Sequence, residues 1–170
     1  MEFEDVIKRR RSVRRYSSEP VDREVLDRIL RVASRAPSAG NLQAYRIFVV
    51  ESPVNRENLA AAAEGQEFVA QAPVDLVFCA DPTRSAEKYG PRGASLYSVQ
   101  DATIAAVFAM LAATDEGLSS VWVGSFDEAA VRRVCGETPL RPVAIVPLGH
   151  GAENPTETPR RDVRELTRTL

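Results

Sequence analysis

The apolar positions of the chain change period several times, and each change marks an element. Residues 2–11 place Phe3, Val6 and Ile7 on one helical face and end in basic side chains, which suit a helix C-terminus. After a polar break over 12–19, Asp22 stands as an N-cap. Val25, Leu26, Ile29, Leu30 and Ala33 then recur at three- and four-residue spacing until Pro37 stops the pattern. The turn-forming run 37–41 leads into a β-prone strand over 45–50. Pro53 opens a helix through the alanine run 60–63, residues 66–72 add a further turn or two, and 74–80 read as a strand buried on both faces.

Residues 81–96 are polar and contain Pro82, Gly90, Pro91 and Gly93, so a loop over a site or a mobile excursion is expected there. Residues 98–116 are helical by pattern but apolar nearly all round, with Gly117 as the stop; such a helix belongs in a core or a subunit interface. A short strand over 120–124, a helix capped by Asp127 and ended by Gly136, and an apolar strand over 142–148 follow. From His150 the chain is rich in proline and charge, with room for a brief helix after Asp162. It has few apolar anchors and is expected to lie on another surface. Several strands alternating with helices that cover both faces of a sheet make an α+β or α/β layered domain, one unit over 1–170.

With 170 residues and 44% hydrophobic content, the chain can bury a core without metal or disulfide staples. Its net charge of -2 provides no global positive field, which weighs against a dedicated nucleic-acid or anionic-membrane protein. No basic segment followed by an apolar one opens the sequence, and no apolar run approaches a membrane span, so a cytoplasmic setting is expected. Cys79 and Cys135 lack metal-ligand spacing and are expected to pack as reduced thiols. His150 is the only histidine, so a multi-histidine metal site is excluded. No Gly-x-Ser-x-Gly elbow, GxGxxG or Walker loop is present, which removes support for a hydrolase, a Rossmann site or a P-loop.

Four segments remain that can carry chemistry. In Lys8-Arg9-Arg10-Arg11-Ser12-Val13-Arg14-Arg15-Tyr16, forked guanidinium donors suit a phosphate dianion, and Ser12 and Arg14 would point to one side of an extended segment. A solvated basic helix end explains the same run. Pro37-Ser38-Ala39-Gly40-Asn41-Leu42-Gln43 has small residues that let a flat ligand approach the backbone and amides that can pair with a uracil-like edge; an ordinary turn has the same composition. Trp122-Val123-Gly124-Ser125-Phe126 can expose the Gly124 amide at a strand end, or simply make a tight exit. The run from Gly149 to Arg160-Arg161 is either a solvated terminus or a second arginine source.

In order and spacing these segments together resemble the nitroreductase family of flavoproteins. RRRSVRRY looks like its N-terminal phosphate motif, APSAGNLQ like its flavin loop, SVWVGSF like its strand-end motif and PLGHGAENPTETPRR like its C-terminal close. The resemblance implies an α+β fold with a central mixed sheet and an interlocked homodimer, in which residues 150–170 pack on the partner and FMN lies between subunits. It further implies that Arg10, Arg11 and Ser12 bind phosphate and ribityl hydroxyls, completed by Arg160 and Arg161. Arg14 would stabilise the reduced ring at its N1/O2 edge. Pro37, Ser38, Ala39 and Asn41 would come from the partner subunit, Val123 would bind the cofactor, the Gly124 amide would face N5 or O4, and Gln66 would approach the pyrimidine edge. The implied activity passes electrons from NAD(P)H to a nitroaromatic, quinone or similar electrophile by a ping-pong scheme, with no obligatory side-chain acid or base and no metal. A different flavin reaction on the same fold, and a non-catalytic module with a basic end, stay open. Ala44-Tyr45 replaces the family's frequent Pro-Trp, and the chain lacks room for an extra helical excursion over the flavin, which leaves the acceptor undefined.

Overall fold

Asp22 caps the second helix as its position predicts. In the computed structural model, which describes residues 1–170, its carboxylate accepts from the amides of Glu24 (2.8 Å) and Val25 (3.2 Å) at the start of α2 (Arg23–Ala33). Before it, α1 (Phe3–Arg9) is shorter than the periodicity suggests, because the chain becomes extended at Arg10. The strands are β1 (Tyr45–Val50), β2 (Val74–Ala80), β3 (Ser119–Ser120) and β4 (Arg141–Gly149). Between them lie α3 (Pro53–Ala62), α4 (Glu67–Gln71), α5 (Pro82–Arg92), α6 (Ser98–Asp115) and α7 (Glu128–Val134), and α8 (Val163–Leu166) closes the tail.

The sheet order is β1-β2-β4-β3, and every strand pair is antiparallel. Its mixed character rests on one parallel bridge, Ser12 to Ser120, where the extended segment after α1 joins the edge. Side chains alternate across β2, so its two faces feed separate cores. Leu76 and Phe78 pack with Leu26 and Ile29 of α2 and with Ala105 and Ala109 of α6. Val77 and Cys79 pack with Leu59 of α3, Val69 of α4 and Val131 of α7. The fold is α+β, with helices on both faces.

Two expected elements differ. Residues 81–96 form α5 followed by a π-helical turn, not a loop. The prolines and glycines that suggest a loop are absorbed as caps and a kink: Asp81 caps Arg84, Pro82 sits in the first turn, and Gly90 takes φ 57°, the left-handed region, immediately before Pro91. The strand expected over 120–124 shrinks to β3 plus a single bridge from Val123 to Ile145. The run Pro82–Asp115 is long and apolar enough to cross a membrane by composition, but α6 is the core helix and packs against all four strands.

Asp75 is an oddity within β2. Its side chain is wholly buried, and neither carboxylate oxygen has a hydrogen-bond partner. Burial holds this carboxyl well above the usual range, opposed by the charge of Arg56, whose guanidinium donates instead to the carbonyls of Ala70 and Ala72. A carboxyl with a raised folded pKa stabilises the fold fully below its unfolded pKa and loses that contribution as pH rises through the folded value. Asp75→Asn is therefore expected to flatten the decline of Tm above the ordinary carboxylate range and to raise Tm above neutrality. Melting curves that fall in parallel for both proteins at every pH would remove Asp75 as the cause.

Candidate functional site

The basic segment after α1 is held straight by backbone bonds to two other parts of the chain. The Val13 amide donates to Ser120 O (3.2 Å), the Ser17 amide to His150 O (2.9 Å), and the Ala152 amide to Arg15 O (2.8 Å). Val13 and Tyr16 point inward and are buried, and the Tyr16 hydroxyl donates to Val13 O (2.8 Å). Burial, with the nearby charge of Asp75, pushes the Tyr16 phenol above its ordinary value. Ser12 and Arg14 lie on the alternate positions; Ser12 is half-buried and Arg14 exposed. The Arg14 amide donates to Glu153 Oε1 at 2.6 Å, so the tail fixes the backbone that presents this guanidinium.

Around this strand the two ends of the chain meet. Arg11 donates to the carbonyls of Lys8 and Arg10 and pairs with Glu157 at 3.2 Å. Arg10 is half-buried and its pKa is lowered, first by burial and then by the positive charges of Arg160 and Arg11. Neither Arg10 nor Arg160 forms a salt bridge with a carboxylate, and the one bond from the Arg160 side chain goes to Thr158 O. Two guanidinium groups that repel each other and pair with no carboxylate of the chain are suited to a phosphate. Arg161 is engaged differently, in an exposed pair with Glu165 at 3.2 Å. His150 is a strand-end residue whose ring lies 3.7 Å from Glu19.

The run 37–43 folds as a 3-10 turn, Ala39–Asn41, with Gly40, Asn41 and Gln43 all at positive φ. Asp101 makes this possible. Its carboxylate, 2% exposed in the first turn of α6, accepts from the amides of Ala39 (2.9 Å) and Ala44 (3.3 Å), bracketing the turn. Ser38 Oγ accepts from the Gln43 amide (3.0 Å), and the Gln43 side chain donates to Asn41. A side chain at Gly40 would collide with the tips of Lys88 and Tyr89 on α5. Pro37, Ser38 and Ala39 line a cleft of about 540 Å3 with Tyr97, Gln100, Asp101, Thr103 and Ile104. The lone carboxylate opening an apolar helix was the available signal for Asp101; nothing in the sequence pointed to Glu153.

Gly124 is exposed and follows Val123, whose backbone pairs with Ile145 in both directions (2.9 and 3.0 Å). The Asp127 amide donates to Ala62 O (2.9 Å) and Ser125 Oγ to Glu64 Oε1 (2.9 Å), which fastens the 62–66 turn beside this strand exit. Gln66 therefore lies in a turn joined to the Gly124 segment, although its side-chain Nε2 donates to Ala63 O (2.9 Å).

Sheet register separates the two groups. The 37–43 turn enters β1 at Tyr45, level with Ala80 and Arg141, whereas Ser12 joins Ser120, level with Leu148 and Val74. These are diagonally opposite corners, about 25 Å apart from ordinary strand spacing and rise. Helix α6, about 27 Å long for its 18 residues, spans the same diagonal, with Asp101 in its first turn beneath the 37–43 turn and its far end at the approach to β3. Within the chain, Arg10, Arg11, Ser12 and Arg160 gather at one corner, with the Gly124 segment on the same edge, and Pro37, Ser38, Ala39 and Asn41 at the other.

Comparison with known proteins identifies the family and the fold. The model of the Nitroreductase family matches residues 7–66 and 55–150. An NADH dehydrogenase of Thermus thermophilus is 35% identical, over 85% of this chain and 84% of its own length. An FMN reductase [NAD(P)H] of Bacillus subtilis is 30% identical, over 88% of this chain and 66% of that relative. Among solved structures, the NADPH:FMN oxidoreductase of Vibrio harveyi complexed with NAD+ superposes with a TM-score of 0.89 at 27% identity, covering 98% of this chain and 76% of that one. With a family model matched over most of its length, a relative 35% identical and a matching fold, the chain belongs to the nitroreductase family.

Proposed function

We propose that the chain is an FMN-dependent NAD(P)H oxidoreductase that works as a homodimer, with each cofactor held between subunits. The observation that carries this reading is the guanidinium pair Arg10 and Arg160, drawn together from the two ends of the chain without a neutralising carboxylate. That corner fits the phosphate of FMN, with Arg11 and Ser12 beside it and Arg161 within reach along the tail. Because the 37–43 turn of the same protomer is about 25 Å away across the sheet, a ligand touching both groups takes the turn from a second copy. Apolar side chains left on the surface favour such pairing: Phe3 is 70% exposed and Val32 42%, and both line a groove of about 440 Å3 between α1, α2 and α6. The tail adds Val163 at 67% and Leu166 at 61%.

When bound, FMN supplies electron transfer between NAD(P)H and a small electrophile such as a quinone or nitroaromatic. The chain's own residues bind and orient. Arg14, presented by Glu153, puts a positive charge beside the ring, Gly124 offers an amide at an exposed strand end, and Gln66 stands next to it. Pro37, Ser38, Ala39 and Asn41 of the second copy close the site with small groups and amides. No side chain is required as an acid or base, consistent with a site of fixed charges and donors.

The purified protein is expected to be yellow, to release FMN on denaturation, and to consume NAD(P)H steadily with a quinone. A colourless dimer that takes up no added FMN would overturn the proposal. Arg10→Ala should weaken FMN retention about tenfold or more, the weight of one charge-assisted bond of ~1.5–3 kcal/mol. Arg14→Ala should slow reduction in stopped-flow more than it weakens retention; reduction at wild-type speed defeats its assigned role. Asp101→Asn replaces one acceptor of the turn by a donor facing an amide, which is expected to lower stability by about 1–3 kcal/mol. It should loosen FMN at the same time, and unchanged Tm and affinity would show that the carboxylate does not hold the turn.

A further inference from the structure

Beside the 37–43 turn, α5 carries Arg84, Lys88 and Arg92, all exposed and none of them in a salt bridge. Their contacts run from the turn to the cleft next to it. Arg84 Nε donates to Leu42 O (2.6 Å). Lys88 Nζ and the Tyr89 hydroxyl stand against Gly40, leaving no room for a side chain there. Arg92 Nε donates to the Tyr97 hydroxyl (3.0 Å), and Tyr97 lines the 540 Å3 cleft together with Pro37, Ser38 and Ala39.

Two tyrosines back these cations. The rings of Tyr89 and Tyr97 meet edge to face with centroids 5.2 Å apart. Lys88 Nζ lies 5.5 Å from the Tyr89 centroid, and the Arg92 guanidinium carbon 5.5 Å from that of Tyr97. Gly93 makes the arrangement possible: it packs on the Ser85 backbone and on Cβ of Tyr89 too closely for any side chain, so the π-helical turn Gly93–Tyr97 that delivers Tyr97 lies against α5. Asp101 is the one charged residue lining the cleft, and its buried carboxylate is taken up by the amides of Ala39 and Ala44. Glu87, exposed and in no salt bridge beside Lys88, offsets one of the three positive charges.

We propose that Lys88 and Arg92, set on the Tyr89–Tyr97 wall, select planar aromatic electron acceptors that carry an anionic substituent such as a carboxylate or sulfonate. The inference rests on the reading that the 37–43 turn closes the flavin site of a second copy, because the cleft beside the turn then opens on the ring held there. The aromatic body of the acceptor lies against Tyr97, and its anionic group reaches the cations at the rim. Neither cation has an ion pair to give up, so the acceptor's charge competes only with water. Exposed cations attract weakly one at a time, and the effect is a preference in capturing the acceptor, strongest at low salt. The reaction so favoured reduces a quinone to its hydroquinone with one hydride from NAD(P)H and one proton from solvent, releasing NAD(P)+.

The test compares a naphthoquinone sulfonate with unsubstituted naphthoquinone as acceptors for the full-length, FMN-loaded protein at fixed NAD(P)H. Turnover of the neutral quinone checks the flavin reading, and the ratio of the two kcat/KM values, sulfonate over neutral, checks the selection. Lys88→Gln and Arg92→Gln should each lower that ratio about threefold, and the double variant about tenfold, mainly through KM for the sulfonate. Lys88→Arg and Arg92→Lys should restore it. In the unaltered protein the ratio should fall as salt is raised to about 0.5 M. A ratio unchanged in the double variant, or an equal loss with both quinones, overturns the proposal while the flavin reading stands. A salt-independent ratio in the unaltered protein also overturns it, and needs no variant to fold. Failure to reduce either quinone sinks the flavin reading and this proposal with it.

Discussion

Like charges gather only where something holds them, and here main-chain hydrogen bonds do so. The amides and carbonyls of residues 13–17 are tied to Ser120, His150 and Ala152, which fixes the strand from which Arg10, Arg11 and Arg14 project and brings the tail bearing Arg160 alongside. The repulsion left at Arg10 is what the proposed phosphate would relieve. Side-chain flexibility could relieve it at an ordinary basic helix end; the half-buried setting of Arg10 limits that escape. The site is thus a property of how the chain ends are joined, more than of any single arginine.

The same economy applies at the far corner. Asp101 is a charged group in a helix otherwise given to the core, and it is tolerated because two backbone amides satisfy it. The positive φ values at Gly40, Asn41 and Gln43 make the turn intrinsically unfavourable, and the buried carboxylate is what over-determines it. On the function proposed above, two unlike devices, a clamped strand and a capped turn, would serve one ligand from opposite ends of a sheet.

Much of this was legible from residue order. The N-caps Asp22 and Asp127, the stop at Gly117, and the apolar periods of α2, α6 and β2 each state a local preference that the fold keeps. Residues 81–96 were misleading because Pro82 and the Gly90–Pro91 pair are compatible with both a loop and a kinked helix, and the choice is made by tertiary contacts. Gly93 lies so close to Ser85 that any side chain there would clash. Strand 120–124 was overestimated because its residues favour β structure while the backbone leaves β4 after Ser120 and returns only at Val123. The anchoring roles of Asp101 and Glu153 depend on partners 62 and 139 residues away, a distance over which local pattern carries no information.

Helix α6 also acts as a ruler. One end fixes the turn and the other delivers the chain to the edge where the arginines are held, so its length sets the span between the two half-sites of a protomer. In the proposed two-fold pair that span would become the separation of the two cofactors, and lengthening or shortening the helix by one residue would rotate one end segment about the helix axis relative to the other. Drift in the surrounding loops is therefore tolerable in a way that insertion or deletion within α6 is not.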